Sequence, residues 1–171
     1  MLRKVSDQEV SLLRDLEVKT YQATFGPYIQ QADLDAYYQK ELSLAQIEKD
    51  LADPESETYF VLHEGEIAGF LKVNWGQAQS EKTGLESAFE IHRIYLLEDY
   101  QGLGLGKEMF DFALDLARSR GFEWAWLGVW EKNFKAQKLY FKSGFERFGQ
   151  HEYVTGDTVD TDWLLRLHLK K

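Results

Sequence analysis

The 171 residues contain no cysteine, which excludes a disulfide framework, a thiolate metal cluster and a cysteine nucleophile. Proline is scarce, with Pro27 and Pro54 only, and no Pro/Gly-rich tract divides the chain, so one domain over residues 1–171 is expected. No run of 18 apolar residues occurs, and no helical membrane span is expected. Met1–Val5 gives way at once to Ser6 and acidic residues, unlike the apolar core of a signal peptide; the expected location is the cytoplasm. Basic charge is in the minority, 20 Lys and Arg against 29 Asp and Glu. The net charge of −9 argues against a nucleic-acid partner and favours cationic small molecules. The four histidines, His63, His92, His151 and His168, are scattered without ligand spacing, so no metal is expected.

What is present is the material of a folded core, 44% apolar and 15% aromatic residues. Residues 2–5 read as a strand. Ser6-Asp7-Gln8-Glu9 has capping-box spacing, and Val10, Leu13 and Leu16 continue a helix to about Phe25, stopped by Gly26-Pro27. A second box at Ser43–Gln46 opens a helix ending near Asp53-Pro54. Thr58–His63 and Ile67–Trp75 form a hairpin around Glu64-Gly65, with Ile67, Gly69, Leu71, Val73 and Trp75 on one face.

Residues 76–86 read as a loop and Ser87–Leu97 as a strand. From Gly104 to Arg120 the apolar stripe is helical, and Gly121 suits its end. An aromatic strand Trp124–Trp130, a short helix Asn133–Ser143 and two last strands, about Glu146–Val154 and Thr161–Leu169, complete the chain. The order β-α-α-ββ-β-α-β-α-ββ predicts an α/β fold with mixed pairing, the segment 87–130 being the one candidate for a parallel crossover.

Gln101-Gly102-Leu103-Gly104-Leu105-Gly106-Lys107 stands between a strand and a helix. Its glycines let the backbone approach a ligand, and the free amides of the first helical turn favour a phosphate, to which Lys107 adds charge. The loop is not a P-loop, because Gln101 and Glu108 occupy the required Gly and Ser/Thr positions. Nor is it a dinucleotide fingerprint, because Lys107 replaces the third glycine.

Gln-x-x-Gly-x-Gly after Arg93-Ile94-Tyr95-Leu96 resembles motif A of the GNAT superfamily of N-acetyltransferases. Asn133-x-x-Ala136-x-x-Leu139-Tyr140-x-x-x-Gly144-Phe145 resembles its motif B. Within it, Gln77–Glu81, Arg93-Ile94-Tyr95 and Leu127–Asn133 are similar to the PaiA-type polyamine N-acetyltransferases. The resemblance implies a mostly antiparallel sheet of about seven strands flanked by helices and splayed at a central parallel pair. It implies acetyl-CoA as co-substrate, its pyrophosphate held by Gln101, Gly102, Leu103, Gly104, Leu105, Gly106 and Lys107. Ile94, Tyr95 and Leu96 would pair with its pantetheine arm, Leu96 N–H would serve as oxyanion donor, and Asn133 would hydrogen-bond the same arm. Asn133 is equally suited to an N-cap.

No cysteine means no acyl-cysteine, and no serine or threonine sits in a recognisable activated arrangement, so direct attack of a bound amine on the thioester is the simplest expected scheme. A polyamine ammonium with a pKa of about 10.4 is neutral in roughly one molecule per thousand at pH 7, so the proton must be taken up. Glu90 is the candidate base, through water, with an ammonium anchor or a surface charge as its other readings. Alternation puts Glu90, His92, Ile94 and Leu96 on one face, unless a bulge breaks it. Tyr140 stands where similar enzymes protonate the departing thiolate; packing on the sheet is its other reading.

The first two helices and loop 76–86 are expected to build the acceptor pocket, with Phe25, Tyr28, Tyr37 and Tyr38 lining it or closing the core. The expected acceptor is a small amine such as spermidine or spermine. A protein, peptide or aminoglycoside amine, or a non-catalytic acyl-CoA-binding role, are the alternatives. A homodimer is admitted among the partners.

Overall fold

The alternating segments condense into one seven-stranded sheet in the computed structural model, which describes residues 1–169. Its strands are β1 (Leu2–Lys4), β2 (Ser56–His63), β3 (Glu66–Trp75), β4 (Ala88–Leu96), β5 (Trp124–Trp130), β6 (Glu146–Thr155) and β7 (Thr158–His168), in the order β1-β2-β3-β4-β5-β7-β6. Every neighbouring pair is antiparallel except β4 and β5, the pair joined by the expected crossover.

Five helices flank the sheet: α1 (Val10–Phe25), α2 (Gln31–Lys40), α3 (Leu44–Ala52), α4 (Leu105–Ser119) and α5 (Phe134–Lys142). Local chemistry explains their ends. Ser43 Oγ accepts from Gln46 N at 3.1 Å and caps α3, and α3 stops before Asp53-Pro54. Gly121, with φ of +78°, ends α4, and Phe122 N donates back to Ala117 O at 3.1 Å. Glu64 and Gly65 both take positive φ, 51° and 82°, the conformation a two-residue hairpin turn requires.

The helix α2 is an addition to the expected order. It fully buries only Leu34 and Tyr38, one turn apart, and no side chain caps its start, so the amphipathic signal is too thin to read. It is held by tertiary packing with Tyr21, Phe25 and Trp130.

Two layers of apolar side chains cover the sheet. One joins Met109, Phe110, Ala113 and Ala117 of α4 and Tyr140 of α5 to Val61, Leu71, Phe89, Ala125, Leu127 and Leu165. The other packs Leu13 and Leu16 of α1 and Ile47 of α3 on Phe60 and Phe70. Phe110 is 1% exposed, with its ring 5.3 Å from that of Tyr140 and 5.5 Å from that of Phe145. Phe110→Ala is expected to cost about 3–5 kcal/mol, read from urea unfolding.

Two bulges correct the expected faces. Val61 pairs with Gly69 but Leu62 pairs with Ile67, leaving Ala68 as an extra residue. Ile67 therefore packs beside Phe70, opposite Leu71 and Val73. In β4, Lys72 pairs with Arg93 and Val73 with Ile91, so His92 is the extra residue. Phe89, Ile91, Ile94 and Leu96 consequently share the α4 side, while Tyr95 packs on the other. The alternation that grouped Glu90 with Ile94 and Leu96 does not hold through the bulge.

Candidate active site

The parallel pair is short. Ala88–Trp124, Phe89–Ala125 and Glu90–Trp126 are in register, and beyond Glu90 the two strands part. β4 stays on β3 to Leu96 while β5 stays on β7 to Trp130, so no strand pairs with the second half of β4 on its β5 side among the described residues. The parting leaves a cleft of about 280 Å³ floored by Ile91–Tyr95 and Leu127–Trp130. An extended amide-bearing chain laid there can take up the free peptide groups as an added strand would.

At the far end of β4 a single 3-10 turn, Glu98–Tyr100, leads into the glycine loop, and Gln101 Nε2 donates to Leu96 O at 3.4 Å. Gly102 and Gly104 take φ of +80° and +81°, and Gly104 is the N-cap of α4. A Cβ built at either meets nothing within 4 Å, so the ground in front of the helix start is open. Free first-turn amides, the helix dipole and this open approach fit a pyrophosphate. Leu105 anchors the turn in the core, whereas Leu103 is exposed and Gly106 sits under Leu96. Lys107 is exposed, its Nζ 2.6 Å from Asp111 one turn on.

Asn133 lines the cleft and caps α5, its Oδ1 accepting from Ala136 N at 3.3 Å. Both of its readings are sterically compatible, since the cap uses only the oxygen. Tyr140 also lines the cleft, its ring held between Phe110 and Phe145. Burial raises its phenol pKa, and the neighbouring Tyr95 adds to this, so the hydroxyl is protonated at neutral pH and is a donor. Burial likewise lifts Tyr95 to about 12.

Glu90 is 2% exposed and accepts from Asn74 Nδ2 at 3.1 Å, from Ser80 N at 2.8 Å and from Ser80 Oγ. Burial raises its pKa, and these donors oppose the rise. Asn74 Nδ2 also lies 3.0 Å from His92 Nδ1, and Ser56 Oγ donates to Asn74 Oδ1 at 2.7 Å. An amide nitrogen only donates, so His92 Nδ1 is the acceptor and its proton lies on Nε2. Burial holds that imidazole neutral. Arg93 stands on the same wall, 3.8 Å from Glu17 Oε1, with Nη2 3.4 Å from Tyr37 Oη.

One wall of the cleft is aromatic and acidic. Phe25 and Tyr37 line it, with Tyr21 stacked on Tyr37 at 4.5 Å. Tyr28 lies exposed against Trp130, and Tyr38 is buried, donating to Gln22 Oε1 at 2.8 Å; neither lines the cleft. Loop 76–86 contributes Ser80 and Glu81, and α1 contributes Tyr21, Thr24 and Phe25. Helix α3, the second of the two helices expected from the sequence, does not line the cleft; α2 takes its place with Tyr37. The sequence reading missed His151 and Tyr153 of β6 and Asp162 of β7, which close the cleft from the other end of the sheet. An acid set within the otherwise apolar run Asp162-Trp163-Leu164-Leu165 was the available signal.

Among the described residues, no three His, Asp or Glu side chains gather as a metal site, and no helix is long and apolar enough to cross a membrane. Residues 13–145 match the Acetyltransferase (GNAT) family. An uncharacterized N-acetyltransferase in the pepI 3′ region of Lactobacillus delbrueckii subsp. lactis is 35% identical over 167 residues, 95% of this chain and 94% of that one. A PaiA N-acetyltransferase from Thermoplasma acidophilum, solved with coenzyme A, superposes with a TM-score of 0.76 at 16% identity over 98% of both chains. The ribosomal-protein-S18-alanine N-acetyltransferase of Escherichia coli gives 0.73 at 16%, over 100% of this chain and 94% of that one.

Splayed sheet and glycine loop together define an acyltransferase with acetyl-CoA as co-substrate. The chain belongs to the GNAT family and is an N-acetyltransferase.

Proposed function

We propose that the chain moves the acetyl group of acetyl-CoA directly to a primary amine of a small cationic acceptor, a polyamine such as spermidine or spermine. The observation that carries this is the acceptor end of the cleft. Glu81, Asp162 and the stacked Tyr21 and Tyr37 surround a space closed by β6 and β7, and Arg93 is countered there by Glu17. Carboxylates and aromatic faces hold alkylammonium groups, and the net charge of −9 raises their local concentration. The closure also favours a small acceptor over a peptide, and the reading places the reaction in the cytoplasm.

In this scheme the amides of Gly102–Lys107 hold the pyrophosphate, and the free edge of Ile94–Leu96 pairs with the pantetheine. Leu96 N–H faces the thioester oxygen, and Asn133 fixes the arm from the β5 side. The neutral amine attacks the carbonyl carbon, an N–C bond forms, the C–S bond breaks, and Tyr140 Oη gives a proton to the departing thiolate. Glu90, nominated by the sequence for the amine's proton, stands at the wall of the same cleft with its donors from Asn74 and Ser80.

An acceptor panel with acetyl-CoA, following released coenzyme A thiol, tests the reading. Spermidine and spermine are expected to outperform an alanine-terminated peptide and an aminoglycoside at least tenfold in kcat/KM. A peptide that outperforms the polyamines would replace the acceptor while leaving the transfer itself in place.

A further inference from the structure

The amine's proton needs a carboxylate that is free to take it. The cleft is lined by three, of which Glu81 stands 3.3 Å from His151 Nδ1, and the other two differ in character. Glu90 already accepts three hydrogen bonds: one amide nitrogen of Asn74 and both the backbone and hydroxyl of Ser80 donate to it. Those bonds tie loop 76–86 to β4, so its free lone pairs are few and its task is to hold the loop. Asp162 is the opposite case. It sits on β7 in register with Trp130 of β5 and His151 of β6, at the level where β4 and β5 have parted.

Beneath Asp162 lies Gly128, where a Cβ would stand 3.4 Å from Asp162 Oδ2, so the carboxylate lies close over β5. Among the described residues, none of the charged groups acting on it is a lysine or arginine. The charged and titratable groups that face it are Asp160 of its own strand, His151 and Tyr153 of β6, Glu131 just after β5, Glu81 of the loop and Tyr95 of β4. His151 turns its Nδ1 to Glu81 at 3.3 Å. Asp162 is thus a carboxylate beside carboxylates, phenols and one imidazole, on the wall of a cleft with room for an ammonium.

We infer that Asp162 is the catalytic base, receiving the proton of the acceptor ammonium in the cleft it shares with Tyr140. This rests on the amine-acetyltransferase reading above. Asp162 takes one proton from the ammonium, and the freed nitrogen attacks. The nitrogen's next proton replaces the one Tyr140 gives to the thiolate, and Asp162 releases its own to solvent after product leaves, so atoms and charge balance. Burial and the surrounding carboxylates raise Asp162 to about 7, which matches its affinity for a proton to neutral pH, the optimum for a general base.

The test compares wild-type chain, Asp162→Asn, Asp162→Ala and Glu90→Gln, using spermidine and acetyl-CoA across pH 5.5–9. Wild-type kcat/KM is expected to fall on the acid side with a limb near 7. Asp162→Asn should lower kcat about a hundredfold or more, abolish that limb and leave the Kd for acetyl-CoA within twofold. Added formate should restore Asp162→Ala at least fivefold, a readout that a purely structural loss would not give. Glu90→Gln should raise KM by loosening the loop and retain the limb.

An Asp162→Asn chain within threefold of wild type, or one that keeps the acid limb, overturns the inference alone. So does transfer of the limb's loss to Glu90→Gln. If the wild-type chain acetylates no amine, the functional reading falls and this inference with it.

Discussion

A chain carrying Gly104→Val is expected to fold and yet to bind acetyl-CoA at least a hundredfold more weakly. Two effects separate cleanly at this residue. The first is backbone strain, because Gly104 holds φ of +81° at the N-cap of α4, a conformation that costs an L-residue about 1–2 kcal/mol. In a chain of this size that is a loss of only a few degrees in Tm. The side chain itself meets nothing, since a Cβ there has no protein atom within 4 Å. The second effect falls on the ligand. The same open ground is what a pyrophosphate must occupy to reach the first-turn amides, and the valine methyls would fill it. Calorimetric Kd and a melting curve on the same sample check both halves. Binding within threefold of wild type would remove the glycine loop from the phosphate site.

Tyr140→Phe is expected to lower kcat about a hundredfold while leaving the acetyl-CoA Kd and the Tm nearly unchanged. The ring is wedged between Phe110 and Phe145, at 5.3 and 6.2 Å, and phenylalanine keeps that packing. Only the hydroxyl is lost, a group that burial keeps protonated and that borders the cleft. The contrast with Phe110→Ala is the informative one: that substitution should lower Tm strongly, whereas Tyr140→Phe should act on turnover alone. A kcat within threefold of wild type would assign Tyr140 to packing.

The same division runs through the whole chain. Elements with strong local signals were legible: α1 from the Ser6–Glu9 capping box before it to Gly26, α3 from the Ser43 cap, α4 between Gly104 and Gly121, and the aromatic strand β5. The glycine loop was legible because its positive φ values demand glycine wherever the loop occurs. Helix α2 was not, because its ten residues fully bury two side chains and it is fixed by contact with aromatics from α1 and β5. A bulge in β4 was allowed for by the family resemblance, but its place at His92 was not legible, because pairing with Lys72 and Val73 across the sheet sets that register and no residue type at 92 requires it.

That one extra residue governs the site. It brings Ile94 and Leu96 under the α4 layer and sends Tyr95 to the other side. The sequence by itself determined the glycine turn, the helix starts and the absence of any cysteine chemistry, because each depends on a residue and its near neighbours. Only the tertiary structure decided which residues close the cleft at β6 and β7. Asp162 is 72 residues from Glu90 in the chain, and the strand order β4-β5-β7-β6 alone carries it to the same cleft. Its environment of carboxylates, phenols and the His151 imidazole is a property of that assembly, and no stretch of sequence around residue 162 contains it.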